Sequence, residues 1–176
     1  MEKILFSEEQ RFTQWWRWLI LLMGLSAVVV PFAIGIYSQV VLDKPYGDNP
    51  MSTEGLIVTG VSSVLLMFFI FLVMARVRLK TKITAEGLYI AFSPLMKKWK
   101  KITPDEIANY EIRTYRAKRE FGGYGLRRRR RSGQAYIISG NVGLQLYLKN
   151  GKKLLIGTEK KQAIEHAMRK LLEGEE

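Results

Sequence analysis

Two apolar runs, residues 18–37 and 55–75, contain no Asp, Glu, Lys or Arg. Each is about 20 residues long, and at about 1.5 Å of rise per residue each makes roughly 30 Å of helix, the thickness of a bilayer's hydrocarbon core. A helix satisfies its own backbone hydrogen bonds, as any segment in lipid must. The runs are therefore expected to be two transmembrane helices. Residues 1–17 then form a cytoplasmic or interfacial segment, 38–54 an extracytoplasmic loop and 76–176 a cytoplasmic domain. The competing reading of the first run is a signal peptide. Glu2, Glu8 and Glu9 do not make a cationic leader, and the run exceeds the apolar stretch of about 7–15 residues that such peptides carry.

Charge is divided sharply along the chain. Residues 1–75 hold four basic side chains against six acidic ones, and residues 76–176 hold 24 against ten. The net charge of +12 thus resides wholly in the second part. So basic a domain must face something anionic, and next to a membrane the nearest candidate is phospholipid head groups. Between the runs Lys44 is the one basic residue, whereas Arg76, Arg78, Lys80 and Lys82 follow the second run. Lys and Arg near span ends mark the inner side, so both termini are expected to be cytoplasmic, at the inner membrane. Trp15, Trp16 and Trp18 around Arg17 have the composition of an interfacial anchor, with indoles at head-group depth and the guanidinium reaching phosphate. Gly24, Ala27, Pro31 and Gly35 on the first run, and Gly55, Thr59 and Ser62 on the second, recur at helical spacing. Small side chains allow close approach, so the spans are expected to pack as a hairpin. Ser52 or Thr53 can cap the second helix.

After Arg76 the pattern changes to alternation, the signature of strands. Strands are expected at 77–83, 88–92, 98–102, 109–116, 135–139, 142–149 and 152–158. Thr103-Pro104-Asp105-Glu106 has the spacing of a capping box on one short turn. Asn150-Gly151 has the composition of a two-residue type I′ hairpin turn. Residues 159–173 place Ala163, Ile164, Ala167, Met168, Leu171 and Leu172 on one helical face. The expectation is six or seven antiparallel strands, bent into two sheets or a partly open barrel, with the C-terminal helix closing the open end.

This layout resembles that of bacterial membrane-anchored proteins with a pleckstrin-homology-like (PH-like) domain, most of unknown function. The matching residues are Thr84-Ala85-Glu86-Gly87-Leu88, Trp99 through Ile107, and Gly140-Asn141-Val142-Gly143-Leu144-Gln145-Leu146 continuing through Asn150-Gly151 to Thr158. The resemblance implies a mainly-β PH-like domain behind a membrane α-helical hairpin. Relatives of that fold often bind phosphoinositides through a basic first-hairpin loop; here the loop is Glu86-Gly87.

The sharpest polar feature is Arg127, Arg128, Arg129, Arg130 and Arg131, flanked by Gly122-Gly123-Tyr124-Gly125 and Ser132-Gly133. Five adjacent like charges repel, so the run is expected to be a loop in solvent or against anions. Near an anionic leaflet each basic residue contributes about 1 kcal/mol of attraction. The bland alternative is a solvated loop that only enforces topology. Lys97, Lys98, Lys100 and Lys101 form a second basic patch, and Arg113, Arg116, Lys118 and Arg119 a third. The glycines lack the Gly-Lys-Ser/Thr of a phosphate-binding loop. With no cysteine and His166 as the one histidine, neither a thiolate or histidine metal site nor a nucleophile–base pair can be assembled. No cofactor and no nucleic-acid partner are expected. The function expected is a non-enzymatic module that contacts anionic phospholipids, a membrane protein or both. An accessory subunit of a larger membrane complex and an uncharacterised enzyme are the alternatives.

Overall fold

The computed structural model describes residues 3–12, 15–96 and 98–174, without the Arg17 side chain. Residues Thr13–Ala75 form one compact unit, and the N-terminal segment together with the chain from Arg76 onward forms the other.

The first unit is a pair of helices, α1 (Trp15–Val40) and α2 (Thr53–Arg76). Both are long and apolar enough to cross a membrane, and few of their residues are buried within the protein. They meet where side chains are small. A Cβ at Gly60 would lie 3.1 Å from the Phe32 ring, one at Gly24 would lie 3.4 Å from Met67, and one at Gly35 would lie 2.8 Å from Tyr46. Gly24 and Gly35 belong to the expected stripe on α1. On α2 the close approach is at Gly60, one residue from Thr59, whereas Gly55 is nearest to Met51 and Ser52. Trp18 meets Phe71 edge-on at 5.0 Å. Ser52 caps α2 by accepting the Gly55 N–H at 3.2 Å. Gln39 ties the connection down, donating to the Met51 carbonyl at 3.0 Å and accepting from the Thr53 hydroxyl at 3.1 Å.

The second unit contains two sheets. The first has β1 (Ile4–Arg11), β2 (Arg78–Thr84), β3 (Gly87–Ser93) and β4 (Lys100–Ile102), in that order and antiparallel. The second has β5 (Ile107–Thr114), β6 (Gly125–Arg129), β7 (Gly133–Ile137), β8 (Val142–Leu148) and β9 (Lys153–Gly157), in the order β5-β8-β9-β7-β6. α3 (Lys161–Glu173) follows. One 3₁₀ turn, Pro104–Glu106, joins the sheets; Glu106 reaches back to accept the Thr103 N–H at 2.9 Å, as the capping-box spacing requires.

The core lies between the sheets. Leu79, Ile83, Leu88, Ile90 and Phe92 share one apolar cluster with Leu144, Leu146, Leu154 and Ile156, and with Ile164, Ala167, Met168 and Leu171 of α3. Tyr115, Ala117 and Phe121 pack with Ala135, Ile137 and Leu155 in a second cluster. Successive strand residues point to opposite faces, so β7 and β9 are covered on both. That is why they read as continuous apolar runs rather than as alternation.

Three expectations are corrected. Among the described residues the sheets hold nine strands, not six or seven, and they are not wholly antiparallel, because β7 runs parallel to β9. The hairpin at Asn150-Gly151 is not a type I′ turn. Such a turn needs positive φ at both central residues, and here only Gly151 has it (76°), with the Gly151 N–H donating to Leu148 at 2.9 Å. The loop is Lys149-Asn150-Gly151, a turn closed by a left-handed glycine. Finally, residues 4–11 of the expected interfacial segment are strand β1, paired with β2 from Ile4↔Thr84 to Arg11↔Arg78. Its inward side chains are Phe6, Glu8 and Gln10. The Glu8 carboxylate accepts from the Thr158 hydroxyl at 2.7 Å and the Glu159 N–H at 2.9 Å, and the Gln10 amide donates to the Gly157 carbonyl at 2.7 Å. These partners offset the cost of burying Glu8 and the Gln10 amide N–H, while the Gln10 side-chain oxygen finds no hydrogen-bond partner among the described residues.

Candidate anion-binding site

The arginine run is not a loop throughout. Arg127 to Arg129 lie in β6, the edge strand, paired with β7 through Arg127↔Ala135, Arg128↔Gln134 and Arg129↔Gly133. Arg130 and Arg131 form the turn. An edge strand leaves one row of backbone N–H and C=O groups unpaired, and Arg127 to Arg129 are exposed on it, so their like charges are solvated and discourage pairing with another chain. At Gly133, φ is 82° and a Cβ would collide with the Lys153 carbonyl. Only glycine permits this close approach. It brings the β6–β7 turn beside the β8–β9 turn.

Between these turns and β4 opens a cleft of about 560 Å³. Its walls carry Lys100 from β4, Arg128, Arg129, Arg130 and Arg131 from the arginine hairpin, and Lys152 and Lys153 from the β8–β9 hairpin. Gly133, Gln134, Leu148, Gly151 and Leu154 complete it, and among the described residues no acidic side chain lines it. Among the described residues no carboxylate pairs with any of the five arginines. Partial burial first, and then repulsion from Lys152, hold the Lys100 amine below the ordinary lysine range; Glu106 opposes them, and Arg128 adds a smaller push. Planar guanidiniums beside flexible ammoniums suit an anion with several oxygens, which arginine can hold through paired hydrogen bonds.

Arg128, Arg130, Arg131 and Lys100 thus come together, whereas the Arg129 guanidinium lies beside Gly122 and the Lys153 amine 5.7 Å over the Tyr147 ring, so these two line the cleft without directing their charge into it. The other expected residues do not join them. Arg127 turns away and donates to the Tyr124 carbonyl at 2.8 Å. Lys101 lies on the outer face of the first sheet, 3.1 Å from Glu86 and over the Tyr89 ring; its amine is raised, first by Tyr89 and then by Glu86. Lys98 is exposed outside the cleft. Lys97 lies outside the described residues, as does the Arg17 side chain. Trp15 and Trp16 are exposed, Trp15 at 72 %, whereas Trp18 is partly covered by Phe71. The third basic patch is neutralised in part: Arg113 pairs with Glu120 at 2.8 Å and also binds Gln145. Sequence reasoning missed Lys152 and Lys153. Their signal was present, two lysines directly after a glycine turn, but they are distant in sequence from the arginines and only the β7–β9 pairing joins them.

The chain matches none of the family models scanned and none of the curated proteins searched.

Proposed function

We propose that this protein is a non-enzymatic membrane-anchored module with a PH-like β domain, whose basic cleft holds anionic phospholipid head groups at the cytoplasmic leaflet. The observation that carries this reading is the convergence of basic side chains from three separate segments, Lys100, Arg128, Arg130, Arg131 and Lys152, none of them in an ion pair among the described residues, on a chain with two helices of membrane-spanning length. The pairing of β1 with β2 supports the topology. Two strands of one sheet share a compartment, so the chain between them crosses the membrane an even number of times. Arg76, Arg78, Lys80 and Lys82 then favour the cytoplasmic side for both termini.

The test uses the full chain in mild detergent, with intact-protein mass spectrometry after adding phosphatidylglycerol or phosphatidylcholine. The native protein should retain the anionic lipid preferentially. The triple variant Arg128→Ser, Arg130→Ser, Lys152→Ser removes about 3 kcal/mol of nominal attraction at about 1 kcal/mol each, and retention should fall at least about tenfold after screening. Equal retention by the variant would overturn the reading. A stoichiometric protein that co-purifies and is lost in the variant would favour the accessory-subunit alternative instead.

A further inference from the structure

A second basic concavity, separate from the cleft, lies on the outer face of the first sheet. This groove of about 520 Å³ is lined by Arg76, Arg78, Lys80, Ala91, Ser93 and Trp99, with Met96 at its edge. Alternation accounts for it: Leu79 and Phe92 point to the core, so Arg78, Lys80, Ala91 and Ser93 face out. Ala91 is the small residue that leaves a hollow between the longer side chains. The loop from Pro94 to Trp99 carries apolar side chains that the fold does not bury, Leu95 at 68 % and Trp99 at 48 % exposure. The loop is held by the Met96 N–H donating to Phe92 at 2.6 Å. Glu9 approaches Arg78 at 3.5 Å and Lys80 at 3.4 Å, yet its shortest ion pair is with Arg11 at 2.7 Å and it does not line the groove. Among the described residues Arg76 pairs with no carboxylate.

Chain continuity places this groove. Arg76 is the last residue of α2, and Arg78 is two residues on, within about 7 Å of the helix end at any angle between helix and sheet. We propose that this groove is a juxtamembrane seat for the phosphate of an anionic phospholipid, held by Arg76, Arg78, Lys80 and Ser93, with Leu95 and Trp99 entering the acyl–head-group boundary. Amphipathic indoles favour that depth, and a free phosphate would leave both apolar side chains without a partner. The proposal rests on the membrane-spanning part of the functional reading and not on the cleft.

The experiment uses the full chain in nanodiscs, with Leu95→benzoylphenylalanine as a photo-crosslinker and mass spectrometry of the adducts. Phosphatidylglycerol should be captured severalfold more than an equal amount of phosphatidylcholine. Arg78→Gln with Lys80→Gln should abolish that preference. Ala91→Leu, which fills the hollow and keeps every charge, should reduce it as well, and decides the matter if the charge variant unfolds. The triple cleft variant should leave the cross-link unchanged. Absence of a lipid adduct, equal capture of both lipids, or indifference to Ala91→Leu would overturn the groove while leaving the cleft reading standing. Loss of the adduct in the cleft variant alone would also overturn it, by assigning the lipid to the cleft.

Discussion

Removing β1 should cost the β domain most or all of its stability, although β1 is separated from the rest of that domain by the apolar hairpin. Glu9 and Arg78, which approach each other across the β1–β2 pair, are 69 residues apart in sequence. Two soluble proteins make the comparison. One joins residues 3–12 to 77–174 through a short glycine-containing turn, which the Arg11↔Arg78 pairing allows because the two chain ends lie side by side. The other is 77–174 alone. The second loses Phe6, which is 5 % exposed within the main core cluster, and truncating such a phenylalanine costs about 3–5 kcal/mol. It also loses the Glu8 carboxylate that serves Thr158 and the Glu159 N–H. Each hydrogen bond to a charged group contributes about 1.5–3 kcal/mol. The sum, about 6–11 kcal/mol, matches the whole stability of a typical domain, about 5–15 kcal/mol. Urea titration followed by circular dichroism should therefore show a cooperative transition for the spliced protein and none for 77–174, and a peptide of residues 3–12 should partly restore it. Equal midpoints for the two proteins would refute the reasoning and return the N-terminal segment to a peripheral role.

Gly133→Ala should destabilise by more than about 1–2 kcal/mol, the cost of a left-handed non-glycine residue, because the Lys153 carbonyl occupies the space of the new methyl; the melting midpoint and anionic-lipid retention should fall together. Lys100→Met should separate the two readouts, raising the midpoint by removing a partly buried charge and its repulsion from Lys152 while weakening retention of phosphatidylglycerol. The folded-state amine of Lys100 is held below its ordinary value, so the unfolded chain binds that proton more tightly. Stability from this group therefore increases as pH rises through the folded value toward 10.5, and Lys100→Met should flatten that part of the pH profile. For topology, a cysteine at Asp48 should react with an impermeant thiol reagent on intact cells and one at Gly174 should not; the reverse pattern would sink the charge argument.

What could be read directly was local. The two long helices follow from uninterrupted apolar runs, and α3 from apolar residues three and four apart, because a helix is specified by neighbours within a few turns. β2 and β5 are legible as alternation, and β3 as a short apolar run, Leu88 to Phe92, after the Glu86-Gly87 turn. β1 escaped notice because two of its inward residues, Glu8 and Gln10, are polar. They belong inside only because Thr158, Glu159 and Gly157 supply partners from the far end of the chain. β6 was hidden by its charge: arginines in a row suggest a loop, and only an edge position makes them compatible with a strand.

The cleft shows the same limit from the functional side. Arg128 to Arg131 and Lys100 were found as runs of charge, yet a run does not say which of its members face one another. Alternation along β6 puts Arg127 and Arg129 on the face opposite Arg128, and pairing on the outer face of the first sheet removes Lys101 to Glu86. The parallel register Gln134↔Leu154 brings the β8–β9 turn and Lys152 in, while the Lys153 amine lies over the Tyr147 ring. Parallel pairing needs a crossover and leaves no short turn motif to announce it. The apolar hairpin adds a further reason. It is inserted between two strands that pair with each other, so β1 and the remainder of the domain it completes stand on opposite sides of the strongest signal in the chain. A reader who divides the sequence at its apolar runs will therefore cut through the fold at the place where β1 and β2 hold it together.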